Sequence, residues 1–297
     1  MEPVQPKGRK SRKNFIMISL ICVSLAVLMI PAAFAWFLNV RKASVEGISA
    51  QVMSANNLVM RAGNGEWSKE LTVSASKDFQ FRAVTGNGVS FYAPVIELVE
   101  VGSTAEDIME DYAVTGLTPM PENEWADSLI SYDFSARIEE KHTLCLHHSS
   151  VSRGADSKDP RDFASAVIRM ALLVKEGDSY RTVLVWIPDV TSKLVSDEKG
   201  NGSITAEQER GITLMDQNGN DLEIAVEGES GSRVIDGINY VWGDIDEEIY
   251  VTELQPMEEK DLRLVIWVDG RDRDCENPMM SANVLVTLNF TAVEMDE

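Results

Sequence analysis

The sequence predicts a mainly β protein: a single antiparallel β-sandwich with short helices in its loops, preceded by an N-terminal hydrophobic helix. Three observations carry this reading. Several windows alternate apolar and polar residues with period two, helix signals are few and short, and one uncharged run of 24 residues lies close to the N-terminus.

Residues 1–14 form a basic tail with Lys7, Arg9, Lys10, Arg12 and Lys13 against the single acid Glu2. Phe15–Leu38 follows, a hydrophobic signal or anchor segment long enough to span a bilayer as a helix. The segment is interrupted by Pro31 and reaches Ala33-Phe34-Ala35 before Trp36, which reads as a small-x-small cleavage site between Ala35 and Trp36. Retention as a membrane anchor and removal as a signal peptide both stay open. The orientation is common to both: the basic tail is held in the cytoplasm and residues 39–297 are placed outside.

The exported part supplies the strands. Leu71–Ala75 and Phe79–Ala83 alternate on either side of a Ser76-Lys77-Asp78 turn. Ala166–Lys175 and Tyr180–Ile187 form a hairpin through Glu176-Gly177-Asp178-Ser179, and Pro188 ends its second strand. Leu262, Leu264, Ile266 and Val268 share one face of a strand, with Arg263, Val265 and Trp267 on the other. Val284–Ala292 repeats the pattern, with Val284, Val286, Leu288 and Phe290 facing one way. Two short helices are expected: one capped by Ser103-Thr-Ala-Glu106, with Ile108, Met109 and Tyr112 on one face, and one over Glu122–Ile130.

Charge limits the functions. The chain carries 27 basic and 48 acidic side chains, a net of −21, which argues against a nucleic-acid partner. With five basic residues and one acid in residues 1–35, 22 basic and 47 acidic groups remain beyond them, a balance of −25. No nucleophile elbow, zinc-protease helix, phosphate loop or dinucleotide fingerprint occurs, and no cofactor is implied. The reading is therefore that of a protein without catalytic activity.

Four stretches remain as candidates for ligand or bond chemistry. Asp269, Asp272 and Asp274 lie within Asp269-Gly-Arg-Asp-Arg-Asp274, dense enough in carboxylates for a hard cation, although Arg271 and Arg273 favour a salt-linked loop. Cys145 and Cys275, the cysteines outside the hydrophobic segment, are candidates for a disulfide in an oxidising compartment. His142–His148 places Cys145 and His147 two apart on a strand, which suits a soft metal but lacks the usual second ligand pair. Residues 197–209 imitate a calcium loop, but Lys199 and Gln208 stand where oxygen ligands belong, so a turn followed by a helical turn capped by Thr205 is expected. Asp216–Asp221 reads as a hairpin turn.

The ending Arg263–Cys275 with the strand Val284–Ala292, together with Ala35-Trp-Phe-Leu-Asn39, Ser44–Ile48 and Asn57–Met60, resembles a group of exported Firmicutes proteins of unknown role. The Ala-Trp-Phe junction also resembles the TasA/camelysin family. That resemblance implies a jelly-roll-like sandwich and a surface or matrix component, fibre-forming in some members, with no enzyme activity.

The expected function is a cell-surface structural or interaction protein, membrane-anchored through Phe15–Leu38 or released after cleavage. If the chain assembles, strand addition through Ser44–Met60 is the expected mode; the alternative, favoured by the sequence, is that this strand pairs within its own domain. Two other classes stay open. A binding module for carbohydrate, peptide or cation would need Trp67, Trp125 and Trp242 in one exposed cleft. An extracellular hydrolase would need one acidic pair selected by geometry.

Overall fold

The computed structural model describes residues 48–54, 57–74, 82–101, 109–151, 165–196, 202–208, 211–272, 275 and 284–294. They belong to one compact unit, Ala43–Glu297. Among them no helix is long and apolar enough to cross a membrane. The predicted hydrophobic segment 15–38, with Ala35 and Trp36, lies outside the described residues.

The chain is mainly β. Its strands are β1 Ile48–Ser54, β2 Val59–Ala62, β3 Glu70–Ser74, β4 Ala83–Gly86, β5 Phe91–Val101 and β6 Met109–Met120. After a 3-10 turn at Glu122–Asp127 come β7 Ile130–Arg137, β8 His142–Leu146, β9 Ser150–Val151, β10 Ile168–Glu176 and β11 Ser179–Ile187. The remainder are β12 Thr191–Ser196, β13 Gly202–Gln208, β14 Gly211–Met215, β15 Asp221–Ala225, β16 Gly231–Ile235 and β17 Ile238–Trp242, then β18 Ile249–Leu254, β19 Lys260–Asp269 and β20 Val284–Glu294.

A six-stranded sheet has the order β18-β8-β20-β1-β3, with β9 added to β20. A ten-stranded sheet runs β16-β17-β11-β10-β19-β4-β5-β6, with β7 on β19 and β2 on β7. The main core joins the two. Ala50, Val52, Leu144, Val286, Leu288 and Phe290 of the first sheet cluster with Met170, Leu172, Trp186, Leu262, Leu264 and Ile266 of the second. The opposite face of the larger sheet carries a second core, where Leu173, Val185, Ile187, Val265 and Trp267 meet Ile212, Leu214 and Ile224 of the β14–β15 hairpin. β19 therefore buries both of its faces, which explains its nearly unbroken apolar run.

The β10–β11 hairpin and β20 stand where the period-two pattern put them. Three expectations are corrected. The sheets are mixed rather than purely antiparallel: β1 runs parallel to β20, β17 to β11 and β4 to β19. Parallel neighbours need long crossovers, and the hairpin-by-hairpin sequence signals report only local antiparallel pairs. The helix expected around Met109 and Tyr112 is instead the start of β6, laddered to β5 from Val101↔Met109 to Phe91↔Met120. Cross-strand pairing overrides the local helix signal there; Ser103–Ile108 and the Ser76-Lys77-Asp78 turn lie outside the described residues. Thr205 sits within β13, paired with β12, so the helical turn expected there is a strand.

Within Ser44–Met60, the described strand β1 and the start of β2 find partners in their own domain; residues 44–47 and 55–56 lie outside the described residues. β1 lies between β20 and β3, pairing seven residues with the former, and β2 pairs with β7. β1 is thus an interior strand, not a loose terminal one.

Candidate functional site: the buried Arg169 cluster

The alternation of β10 sends Ile168 and Met170 into the main core and so turns Arg169 toward the other face, across from Trp267. Arg169 is 1% exposed. A buried guanidinium requires counter-charge and acceptors, and both are supplied. Nη1 donates to the carbonyl oxygens of Ala166 at 2.6 Å and Ile168 at 3.0 Å. Nη2 donates to Asp272 Oδ2 at 2.5 Å, and Nε lies 3.8 Å from Asp269 Oδ2.

Asp269 closes β19 and is itself buried. Its Oδ1 accepts from Thr85 Oγ1 of β4 at 2.6 Å and from the Arg271 amide at 3.2 Å. Arg271 then reaches away from the cluster. Its guanidinium donates to Asp221 Oδ1 at 2.5 Å and to the Leu214 carbonyl at 2.9 Å, tying the β19 turn to the hairpin that covers the second core. Nearby in sequence, Ser165 Oγ donates to Asp189 Oδ2 at 2.9 Å, both groups buried.

Asp269 and Asp272, two of the three carboxylates named as cation candidates, face the internal Arg169 guanidinium. Asp274 lies outside the described residues. Among the described residues no group of three or more His, Cys, Asp or Glu side chains is placed to hold a metal. The cluster binds chain to chain: one cation fastens the ends of β4, β10 and β19. The sequence carries a signal for it, a lone arginine inside the apolar run Ile168–Val174.

Cys145 and Cys275 are not bridged in this structure. On β8, Leu144 and Leu146 enter the main core, so Cys145 points out through the other face of its sheet, whereas Cys275 packs against the main core. Burial, with a smaller contribution from Glu248, pushes the Cys145 thiol up to about 11. His147 and His148 stack with ring centroids 3.7 Å apart, and His148 adopts φ 48° while its carbonyl accepts from Asn289 Nδ2.

The tryptophans do not share a cleft. Trp242 is buried in the second core and Trp125 packs against it, edge-on to Phe91 at 5.0 Å. Trp67 stands apart, with the Arg61 and Arg137 guanidiniums 4.6 and 4.4 Å from its ring centre. Asp216 forms the expected hairpin turn: its carboxylate accepts from the Asn218 and Asn220 amides, which hold it below the usual carboxylate range. The same turn is anchored by buried Asn87, whose Nδ2 donates to the Asp216 carbonyl at 2.7 Å. Comparison with protein-family models, with curated proteins and with solved structures returns no match in any of the three.

Proposed function

We propose that the chain is an exported bacterial cell-surface protein with a structural or interaction role, its domain a jelly-roll-like β-sandwich displayed outside the membrane. One observation carries this reading: the basic tail and the uncharged run 15–38 precede a remainder with 22 basic and 47 acidic groups. Two apolar cores within residues 43–297 are consistent with a rigid displayed module. Assembly through Ser44–Met60 then requires β1 to leave its slot between β20 and β3 and enter that of a neighbouring copy. N-terminal sequencing of the protein recovered from its own host tests the reading. A start at Trp36 in the medium or wall fraction identifies a released product, and a start at Met1 in the membrane fraction an anchored one. Recovery in the cytosol with Met1 intact would sink it.

A further inference from the structure

β2 and β7 pair antiparallel, with Val59 opposite Arg137 and Arg61 opposite Ser135, so Arg61 and Arg137 stand diagonally on one face of the larger sheet. The loop after β2 brings Trp67 to both. Met60 and Ser68 exchange backbone hydrogen bonds at 2.7 and 2.8 Å, and the neighbouring indole has its ring centre 4.6 Å from Arg61 Cζ and 4.4 Å from Arg137 Cζ. Stacking of this kind holds two long cationic side chains in place. Other cations of this sheet are already paired: Arg263 meets Asp133 at 2.6 Å and Lys175 meets Asp261 at 3.3 Å. Arg61 pairs with Glu259 at 2.7 Å, which leaves its Nε buried and without a hydrogen-bond partner among the described residues. Arg137, half-buried, has no ion-pair partner among the described residues.

A strained residue lies at the same corner. Met257 donates its amide to the Ile138 carbonyl at 2.8 Å, next in the chain to Arg137, and it stands two residues before Glu259. It follows Pro256 in a turn closed by the Glu258 amide on the Gln255 carbonyl, and its φ is 61°. Glycine fills such a turn position without strain, and methionine does not. The Met257 side chain is 59% exposed, so packing within the domain does not account for it. Strain of this kind collects where a side chain is used.

We propose that Arg137, Trp67 and Met257 form a binding site for a carboxylate borne on an apolar group, the chemistry presented by a peptide that ends in an apolar residue. The Arg137 guanidinium offers a planar fork that a carboxylate meets with both oxygens. Two guanidiniums and the Glu259 carboxylate leave a local balance of +1, which a monoanion neutralises and a phosphate dianion overshoots. Met257 supplies adaptable apolar surface at the same corner. The rest of the exterior is acidic and repels a polyanion along its length, whereas one carboxylate responds mainly to charges within roughly 8 Å in physiological salt. The site uses no residue of 15–38, so it stands or falls separately from the export reading.

The test is a ligand titration of the full chain in detergent micelles with isotope-labelled tryptophan, followed by magnetic resonance at the indole N–H of Trp67. Trp67→Phe identifies that signal among the six. N-acetyl-leucine is expected to shift it saturably, with a midpoint on the order of millimolar. Acetate lacks the apolar group and N-acetyl-leucinamide lacks the charge, so each should need about tenfold more or fail to saturate. Arg137→Gln should weaken N-acetyl-leucine by about tenfold. Met257→Gly, which relieves the positive φ, should weaken it several-fold without lowering the thermal unfolding temperature. Absence of a saturable shift, an equal response to acetate or to the amide, tighter binding of inorganic phosphate, or unchanged affinity in either variant overturns the proposal.

Discussion

Arg169 and Asp272 meet at 2.5 Å with side chains only 1% and 4% exposed, an ion pair made where water does not compete. The pair fastens the turn after β19 to the start of β10, and Asp269 extends it to Thr85 on β4. Breaking such a pair from one side leaves the other charge buried, which is the expensive outcome.

Arg169→Met should therefore destabilise the domain by about 3–5 kcal/mol, because two carboxylates lose their cation. Asp272→Asn, which keeps a hydrogen-bond acceptor for the guanidinium, should cost less than half of that. Urea unfolding followed by tryptophan fluorescence measures both, and equal costs would contradict the cluster's account.

Two buried acids set an alkaline limit. Cys145 is pushed from 9.0 up to about 11 by burial, then Glu248; Tyr240 is pushed from 10.0 up to about 12 by burial, then Asp216 and Asp236. Both hold their protons more tightly when folded. Their influence on stability is absent below the unfolded values and grows unfavourable as pH rises from 9.0 to about 11 and from 10.0 to about 12. Each gap corresponds to about 3 kcal/mol at its upper end. Denaturant titrations across this range should show the fall, and Cys145→Ala should flatten its first part.

Gly243 and Gly177 both have positive φ, 72° and 62°, but only one is crowded. A Cβ at Gly243 would run into the Glu229 carbonyl oxygen and lie 2.8 Å from Ser230 Cα, while one at Gly177 meets nothing within 4 Å. Gly243 also offers its carbonyl to Trp186 Nε1 at 2.6 Å. Gly177→Ala should cost about 1 kcal/mol, the price of the backbone conformation alone. Gly243→Ala should cost several times more, and thermal melts would rank the two.

Arg271→Ala should loosen the β14–β15 hairpin before the rest. The pair with Asp221 is partly exposed and worth about 1 kcal/mol or less, so global stability should change little. Amide exchange in residues 211–225 should accelerate while β10 and β19 keep their protection. Uniform acceleration across the domain would show that the contact is not local.

Much of this architecture was legible from side-chain alternation. Val286, Leu288 and Phe290 had to share a face, and the Gly177-Asp178 turn announced its hairpin. The partners of each strand were not legible. β19 takes β10, β7 and β4 as neighbours, and nothing in Leu262–Val268 says so. Asp269 and Asp272 stand out in the sequence for their oxygens, but their partner, Arg169, lies about a hundred positions earlier, a separation that composition and motif spacing do not span. The turn at Asp216, by contrast, is a local device legible in its own six residues.

The seven-residue parallel pairing of β1 with β20 joins the first described strand to the last. A chain still emerging from the ribosome can pair Ile48–Ser54 with β3 alone until Val284–Glu294 has been made. Throughout that interval the edges of β1 and β8 that take β20 lack their strand. Completion of the smaller sheet is therefore a late event, and a product truncated before residue 284 should be an aggregating or degraded species. A nearly complete copy of this protein still lacks the strand that joins β1 to β8.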